Sequence, residues 1–185
     1  MSKTIALIGS GNVFFKDEGI GLYGAKYLKE NYTFTPDVDI VDGGTLGFKL
    51  MPLLQEFDEV IIINTASDDT KKSGDISVKT TDEFLNGALV KKTANEVEIA
   101  EMLQICSMSE KVANTTVISI VPEDIISVEV ALSEIMKQSW EDYIDISMQT
   151  LAKLGVVAKK NEEIMGLDDI LNIFANPSIE HNRGF

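Results

Sequence analysis

The chain has 185 residues and a formal net charge of −14, with 44% hydrophobic and 25% charged residues. This length is typical of one domain with a sizeable core, and the composition is that of a globular protein. The strong negative charge disfavours nucleic acid and anionic membrane surfaces as partners.

The sequence also bears on where the protein acts. No apolar run reaches the roughly 20 residues of a membrane span, and the N-terminal apolar run is too short for a signal peptide. The single cysteine, Cys106, excludes an internal disulfide. We therefore expect a cytoplasmic protein with no membrane partner.

Strand and helix patterns alternate along the chain. The predicted strands are residues 3–9, 36–44, 58–66, 74–84 (an edge strand) and 114–122. The predicted helices are residues 20–31, 45–57, 94–108 and a long helix within 123–155. Pro52 is expected to end or kink the second of these helices. This alternation, with short connections, is typical of an α/β domain with a mainly parallel sheet.

The C-terminal part of the chain has a different character. Residues 156–163 are typical of a linker, and residues 164–174 have a small apolar helical face followed by a polar tail. We therefore predict a domain over residues 1–155 and an extension over residues 156–185.

Polar and acidic residues follow three of the predicted strands. Residues 9–12 read GSGN and are followed by Asp17 and Glu18, residues 42–45 read DGGT, and residues 64–69 read NTASDD. In open α/β sheets, ligands bind outside the carboxyl ends of the strands. The candidate site therefore lies where these loops meet.

The first loop does not match the usual phosphate-binding patterns. The G-x-G-x-x-G pattern needs a third glycine where this chain has Phe14, and a carboxylate pair would repel a pyrophosphate. The P-loop pattern is absent. Two interpretations of Asp17 and Glu18 remain open: they bind a divalent cation, or they stabilise the start of the next helix through its dipole.

Five segments, in order, match a known family. Residues 9–21 read GSGNVFFKDEGIG, residues 41–47 read VDGGTLG, and three further segments are VIIINTA (60–66), NEVEIAEML (95–103) and ISIVPED (118–124). With these motifs the chain resembles the hydrogenase maturation proteases, the C-terminal endopeptidases that process the large subunit of nickel–iron hydrogenases. The resemblance covers residues 3 to about 155.

The resemblance implies a fold and an activity. The fold would be three-layered α/β, with a twisted, mainly parallel five-stranded sheet flanked by helices. The activity would be hydrolytic removal of the C-terminal extension from a metal-loaded large-subunit precursor, which activates the hydrogenase. Nickel would come with this precursor and would not be firmly bound to the free protein.

The resemblance also implies site residues. Glu18 corresponds to a metal-contacting and catalytic carboxylate, and Asp42 to an aspartate that performs or supports cleavage. Asn64 and Asn95 stand where the family has a metal-binding aspartate and histidine. The predicted substrate-binding residues are Gly11, Asn12, Gly43, Gly44 and Thr45.

These two asparagines leave alternatives open. An amide oxygen is a weak donor for nickel compared with carboxylate or imidazole. Asp17, Asp68 or Asp69 are candidate substitutes, and the only histidine, His181, lies in the polar tail. The alternative hypothesis is a non-proteolytic sibling that binds a hydrogenase precursor as an assembly factor. A small-ligand-binding α/β protein is a third.

Overall fold

The computed structural model describes residues 3–87 and 90–178. Its main sheet has five strands in the order β3-β1-β4-β6-β5. In chain order they are β1 (Ile5–Gly9), β3 (Val38–Asp42), β4 (Glu59–Thr65), β5 (Ile76–Thr80) and β6 (Asn114–Ile120). All neighbours pair in parallel except β5, which is antiparallel to β6 at the sheet edge. The predicted mainly parallel α/β sheet with an antiparallel edge strand is confirmed.

A second sheet has two antiparallel strands, β2 (Tyr32–Thr35) and β7 (Val157–Lys160). The helices are α1 (Ile20–Asn31), α2 (Met51–Glu56), α3 (Thr81–Leu85), α4 (Ala94–Cys106), α5 (Glu134–Gln138), α6 (Trp140–Lys153) and α7 (Leu167–Ala175). Short 3-10 helices span Lys16–Gly19 and Phe48–Leu50.

Helices cover both faces of the sheet, which makes the fold three-layered. In β4, Ile61 and Ile63 pack in one cluster with α1, α5, α6 and α7, whereas Val60 and Ile62 pack in the other with α2, α3 and α4. Side chains alternate between the faces of a strand, and a strand buried on both faces needs an unbroken apolar run. The sequence of β4 has this run.

Two local expectations were wrong. Pro52 does not end or kink a helix, because it lies in the first turn of α2, where its missing N–H has no helical partner to lose. Residues 156–163 are not simply a linker, because they include β7, which pairs with β2.

The predicted C-terminal helix is observed as α7, and it packs against α1. Ile170 is fully buried, and the Phe174 ring lies edge-on to Tyr23 with 5.2 Å between ring centroids. The predicted boundary at residue 155 stays a prediction. The last part of the predicted tail, residues 179–185, lies outside the described residues.

The parallel strands bring the predicted site loops to one edge of the sheet. Because β1, β3, β4 and β6 run in the same direction, their carboxyl ends at Gly9, Asp42, Thr65 and Ile120 lie together. The loops that follow these ends, together with the start of α4, form the candidate site.

Candidate active site

Two glycine-containing loops are joined directly to each other. The Gly11 N–H donates to the Gly44 carbonyl at 3.0 Å, and the Gly43 N–H donates to the Gly9 carbonyl at 2.8 Å. Gly11 has φ of 153°, and a side chain there would collide with the Glu18 carbonyl. Glycine is therefore required at this position, because the chain folds back on itself there.

A cleft of about 390 Å³ lies beside these loops. Four predicted site residues line it: Asn12, Glu18, Thr45 and Asn95. The start of α4 contributes further polar groups, and Phe15, Ile125 and Ile126 form an apolar wall. The structure thus brings loops from separate parts of the chain to one concave surface, as expected for a small ligand or peptide site.

Glu18 is the buried carboxylate of this cleft, with only 6% of the residue exposed. Burial raises the pKa of its carboxyl; the Thr93 hydroxyl acts in the opposite direction, and the negative charge of Glu96 adds to the rise. Burial therefore favours the protonated form of Glu18 more than in an exposed carboxyl.

Of the two asparagines, Asn95 lines the cleft and Asn64 does not. The Nδ2 of Asn95 donates to the Ser10 hydroxyl at 2.9 Å. Asn64 is fully buried at the end of β4, where its Oδ1 accepts a 2.6 Å hydrogen bond from the Ser119 hydroxyl. Among the described residues, the buried Asn64 Nδ2 has no hydrogen-bond partner.

Asp42 does not line this cleft. Its Oδ1 accepts the Gly44 N–H at 3.0 Å, and the residue lines a separate cavity of about 90 Å³ beside Ala25 and Lys26 of α1. Asp42 is the last residue of β3 and lies on the α1 side of the sheet, whereas a side chain at Gly43 would meet Leu50 on the other side. The predicted catalytic role of Asp42, and the substrate-binding roles of Gly11, Gly43 and Gly44, stay predictions.

Asp17 has a structural role that sequence reasoning missed. Its Oδ2 accepts the N–H groups of Glu123 and Asp124 at 3.0 and 2.8 Å and the Ser133 hydroxyl at 2.8 Å, and its Oδ1 accepts the Ser133 N–H at 2.7 Å. α1 begins after Gly19 without a side-chain cap, so Asp17 makes no capping hydrogen bond there, and the helix-dipole interpretation stays a prediction. Asp17 holds the 122–133 loop beside the cleft.

The other candidate ligands are engaged elsewhere. Asp68 accepts the Thr70 N–H and hydroxyl, and Asp69 pairs with Lys92 at 3.0 Å. His181 lies outside the described residues. Across residues 3–87 and 90–178, no three His, Cys, Asp or Glu side chains converge as a potential metal site.

The sequence also contains a helix-start pattern before α4 that identifies further residues near the cleft. Thr93 and Glu96 form a capping box at the start of α4, the T-x-x-E pattern that marks a helix N-terminus. Glu96 in turn accepts the N–H and hydroxyl of Ser67 at 2.6 and 2.8 Å. This buried carboxylate thereby joins α4 to the loop after β4.

The model of the hydrogenase maturation protease family matches residues 23–150, more than half of the chain. The chain belongs to the hydrogenase maturation protease family. Family membership confirms the predicted endopeptidase and gives the protein a role in hydrogenase maturation.

Two relatives illustrate the match. The chain is 27% identical over 159 residues to the hydrogenase expression/formation protein HoxM of Azotobacter vinelandii, covering 85% of this chain and 76% of that protein. It is 24% identical over 161 residues to the hydrogenase 2 maturation protease of Escherichia coli, covering 86% and 98%.

Solved structures of the family share the fold. The hydrogenase maturating endopeptidase HybD from E. coli superposes with a TM-score of 0.78 at 22% identity, over 85% of this chain and 98% of that chain. The maturation protease HybD from Thermococcus kodakarensis gives 0.64 at 21% identity, over 80% and 98%. None of the helices in the described part of this chain is long and apolar enough to cross a membrane.

The buried Asp17 carboxylate predicts a large stability loss for Asp17→Asn. The amide nitrogen would face N–H donors in place of an acceptor, so we expect the free energy of unfolding to fall by about 3 kcal/mol. Urea unfolding measures it. The matched change Asp39→Asn, on the exposed side of β3, should stay within about 0.5 kcal/mol. Equal effects of the two substitutions would contradict this role.

The raised pKa of Glu18 predicts a pH-dependent stability difference. The native chain binds this proton more tightly than the unfolded chain. The contribution is therefore fully present below the unfolded value, about pH 4, and is lost as pH rises through the raised native pKa. Glu18→Gln cannot ionise and does not lose this contribution. The melting temperature of Glu18→Gln, relative to that of the wild type, should therefore increase as pH rises.

Melting curves at a series of pH values test this, with Glu134→Gln as the control because the Glu134 side chain is 80% exposed. The control should follow the wild type throughout. A Glu18→Gln curve parallel to the wild type would show that burial does not perturb Glu18.

Proposed function

We propose that this protein cleaves the C-terminal extension from the nickel-loaded precursor of a nickel–iron hydrogenase large subunit, in the cytoplasm. One observation carries the proposal: Glu18, a buried carboxylate with a raised pKa, lies in an open cleft beside the joined glycine loops. The cleft can admit a peptide, and the Glu18 carboxylate can contact a metal ion that is bound to the precursor.

The donor set favours a metal that belongs to the substrate. Of the predicted ligands, Glu18 and Asn95 line the cleft, whereas Asn64 is fully buried and its Oδ1 accepts from Ser119. This is a weak site for a free divalent transition metal, because amide oxygens are poorer donors than carboxylate or imidazole. A metal already held by the precursor needs fewer strong donors from the protease. Contact with Glu18 would then report that the precursor is loaded.

The chain's own residues support hydrolysis of a peptide bond. Water adds to the scissile carbonyl, the C–N bond breaks, and the leaving amine takes a proton. The raised pKa of Glu18 favours transfer of the proton from water, and the nickel of the precursor would polarise the reacting groups. Asp42 would act indirectly, by fixing the turn at Gly44 through its 3.0 Å hydrogen bond.

Incubation with a nickel-loaded precursor tests the proposal, with the mass of the precursor as the readout. Wild type should release a C-terminal peptide, Glu18→Gln should lower the rate at least about 100-fold, and the exposed Glu134→Gln should leave it unchanged. A stable complex without mass loss would instead favour the non-proteolytic assembly factor. Unchanged processing by Glu18→Gln would remove this residue from the mechanism.

The amide ligand positions predict a gain in metal binding when the stronger donors are introduced. Asn64→Asp with Asn95→His should bind Ni²⁺ at least about tenfold more tightly than the wild type, since both changes supply better ligands. Titration calorimetry on the isolated protein measures this. Adding Glu18→Gln to the double variant should remove much of the gain; a full gain without Glu18 would show that the three positions do not converge.

A further inference from the structure

The apolar wall of the cleft includes a largely exposed isoleucine. Ile126 is 84% exposed and Phe15 is 36% exposed, yet both line the same cleft as Glu18. Between them Ile125 is partly buried in the same wall. Single exposed apolar residues are normal on a protein surface, but these three lie together in the lining of one cleft, and a grouped apolar surface is typical of a binding site.

The backbone that carries Ile126 is held in place. The Ile126 N–H donates to Asp124 Oδ1 at 3.1 Å, and the Ser127 N–H and hydroxyl donate to the same carboxylate at 2.9 and 2.6 Å. The Asp124 N–H is held in turn by Asp17. The exposed side chain therefore projects from a fixed turn, which lowers the conformational cost of binding a partner there.

The same turn is tied to the loop that carries Phe15. The Lys16 N–H donates to the Glu129 carbonyl, and the Glu129 N–H donates to the Phe14 carbonyl, each at 3.0 Å. These bonds join the two sides of the apolar wall into one unit. The apolar wall is therefore part of the folded protein and does not need substrate in order to form.

Most of the other residues that line the cleft are polar. They are Asn12, Glu18, Thr45, Lys92, Thr93, Asn95 and Glu98. An extended peptide matches this division, because its backbone N–H and C=O groups need hydrogen-bond partners and alternate side chains need apolar surface. A small polar metabolite would leave the apolar wall unused, and a folded apolar surface would leave the polar residues unpaired.

We propose that Ile126, with Phe15 and Ile125, determines specificity by receiving a bulky apolar side chain from the extended tail segment of the precursor. This inference rests on the proposed function, because it assigns the occupant of the same cleft. The chain supplies a matched control. Val128 is also β-branched, lies on the same loop and is 76% exposed, but it is not among the residues that line the cleft.

The affinity for nickel-free precursor tests the contribution of the apolar wall to binding separately from cleavage. Ile126→Asn should weaken the complex about tenfold, the scale expected when one large aliphatic side chain loses its apolar contact. The affinity of Val128→Asn should stay within about twofold of the wild type, and Ile126→Leu should bind as the wild type does. Melting curves should show that all variants remain folded, since neither residue is buried.

A second arm identifies the receiving position. Each apolar residue of the precursor tail is replaced by serine in turn, and the difference between wild type and Ile126→Asn is measured again. The difference should vanish for one tail position, because two changes to one contact are not additive. A difference that survives every replacement would overturn the assignment of a tail side chain.

The outcomes for the wall and for the protease are distinct. Unchanged binding by Ile126→Asn, or equal losses for Ile126→Asn and Val128→Asn, overturns the inference even if the precursor is cleaved normally. Selective loss for Ile126→Asn in a protein that does not cleave leaves the inference standing and removes the proposed proteolysis. Wild type that does not bind the nickel-free precursor overturns the inference alone, because cleavage of the nickel-loaded precursor tests the proposed function separately. A concentration-dependent dimer that is lost in Ile126→Asn would also overturn it, by assigning the apolar wall to a second copy.

Discussion

The candidate site depends on one buried carboxylate that is not itself in the cleft. Asp17 is fully buried, and it is satisfied by donors on residues that lie 106 to 116 positions further along the chain. A buried charge is tolerated only when hydrogen bonds replace its lost hydration. The same bonds hold the 122–133 loop beside the loop that carries Glu18, and this loop supplies Ile125 and Ile126 to the cleft.

The sheet was the most predictable part of the structure. In β4, the uninterrupted apolar run indicates burial on both faces, and the observed clusters on either side of this strand agree. Pairings between distant segments were harder to foresee. The antiparallel pair of β2 and β7 joins Tyr32 to Lys160. Each of these two segments is only four residues long, and its apolar pattern is too weak to predict a strand.

The candidate site was predictable as a set of loops but not as a set of contacts. Parallel strands bring their carboxyl ends together, which places Asn12, Glu18 and Thr45 at one cleft. Which face each side chain takes depends on its place at the strand end. Asp42 therefore turned toward α1, although its motif is adjacent in space to that of Gly11.

Adjacent acidic residues in the first motif illustrate the limit most clearly. Asp17 and Glu18 have the same charge and share one short 3-10 helix, yet one is satisfied by a distant loop and the other lies in the cleft with a raised pKa. Their difference comes from what surrounds them: Ser133 donates twice to Asp17, whereas Glu18 loses water without a comparable set of donors. No local pattern encodes that difference, because the donors come from tertiary contacts.

The cleft combines a weak ligand set with a fixed apolar wall, and the two features support each other on the proposed function. Glu18 and Asn95, the two predicted ligands that line the cleft, would contribute little affinity for a free ion, so on the proposed function recognition of the precursor draws on other contacts. The exposed side chain of Ile126 offers one that does not depend on charge. A protease of this kind would gain its affinity for the precursor from contacts with the peptide. Contact between Glu18 and the nickel would then determine whether the bound peptide is cleaved.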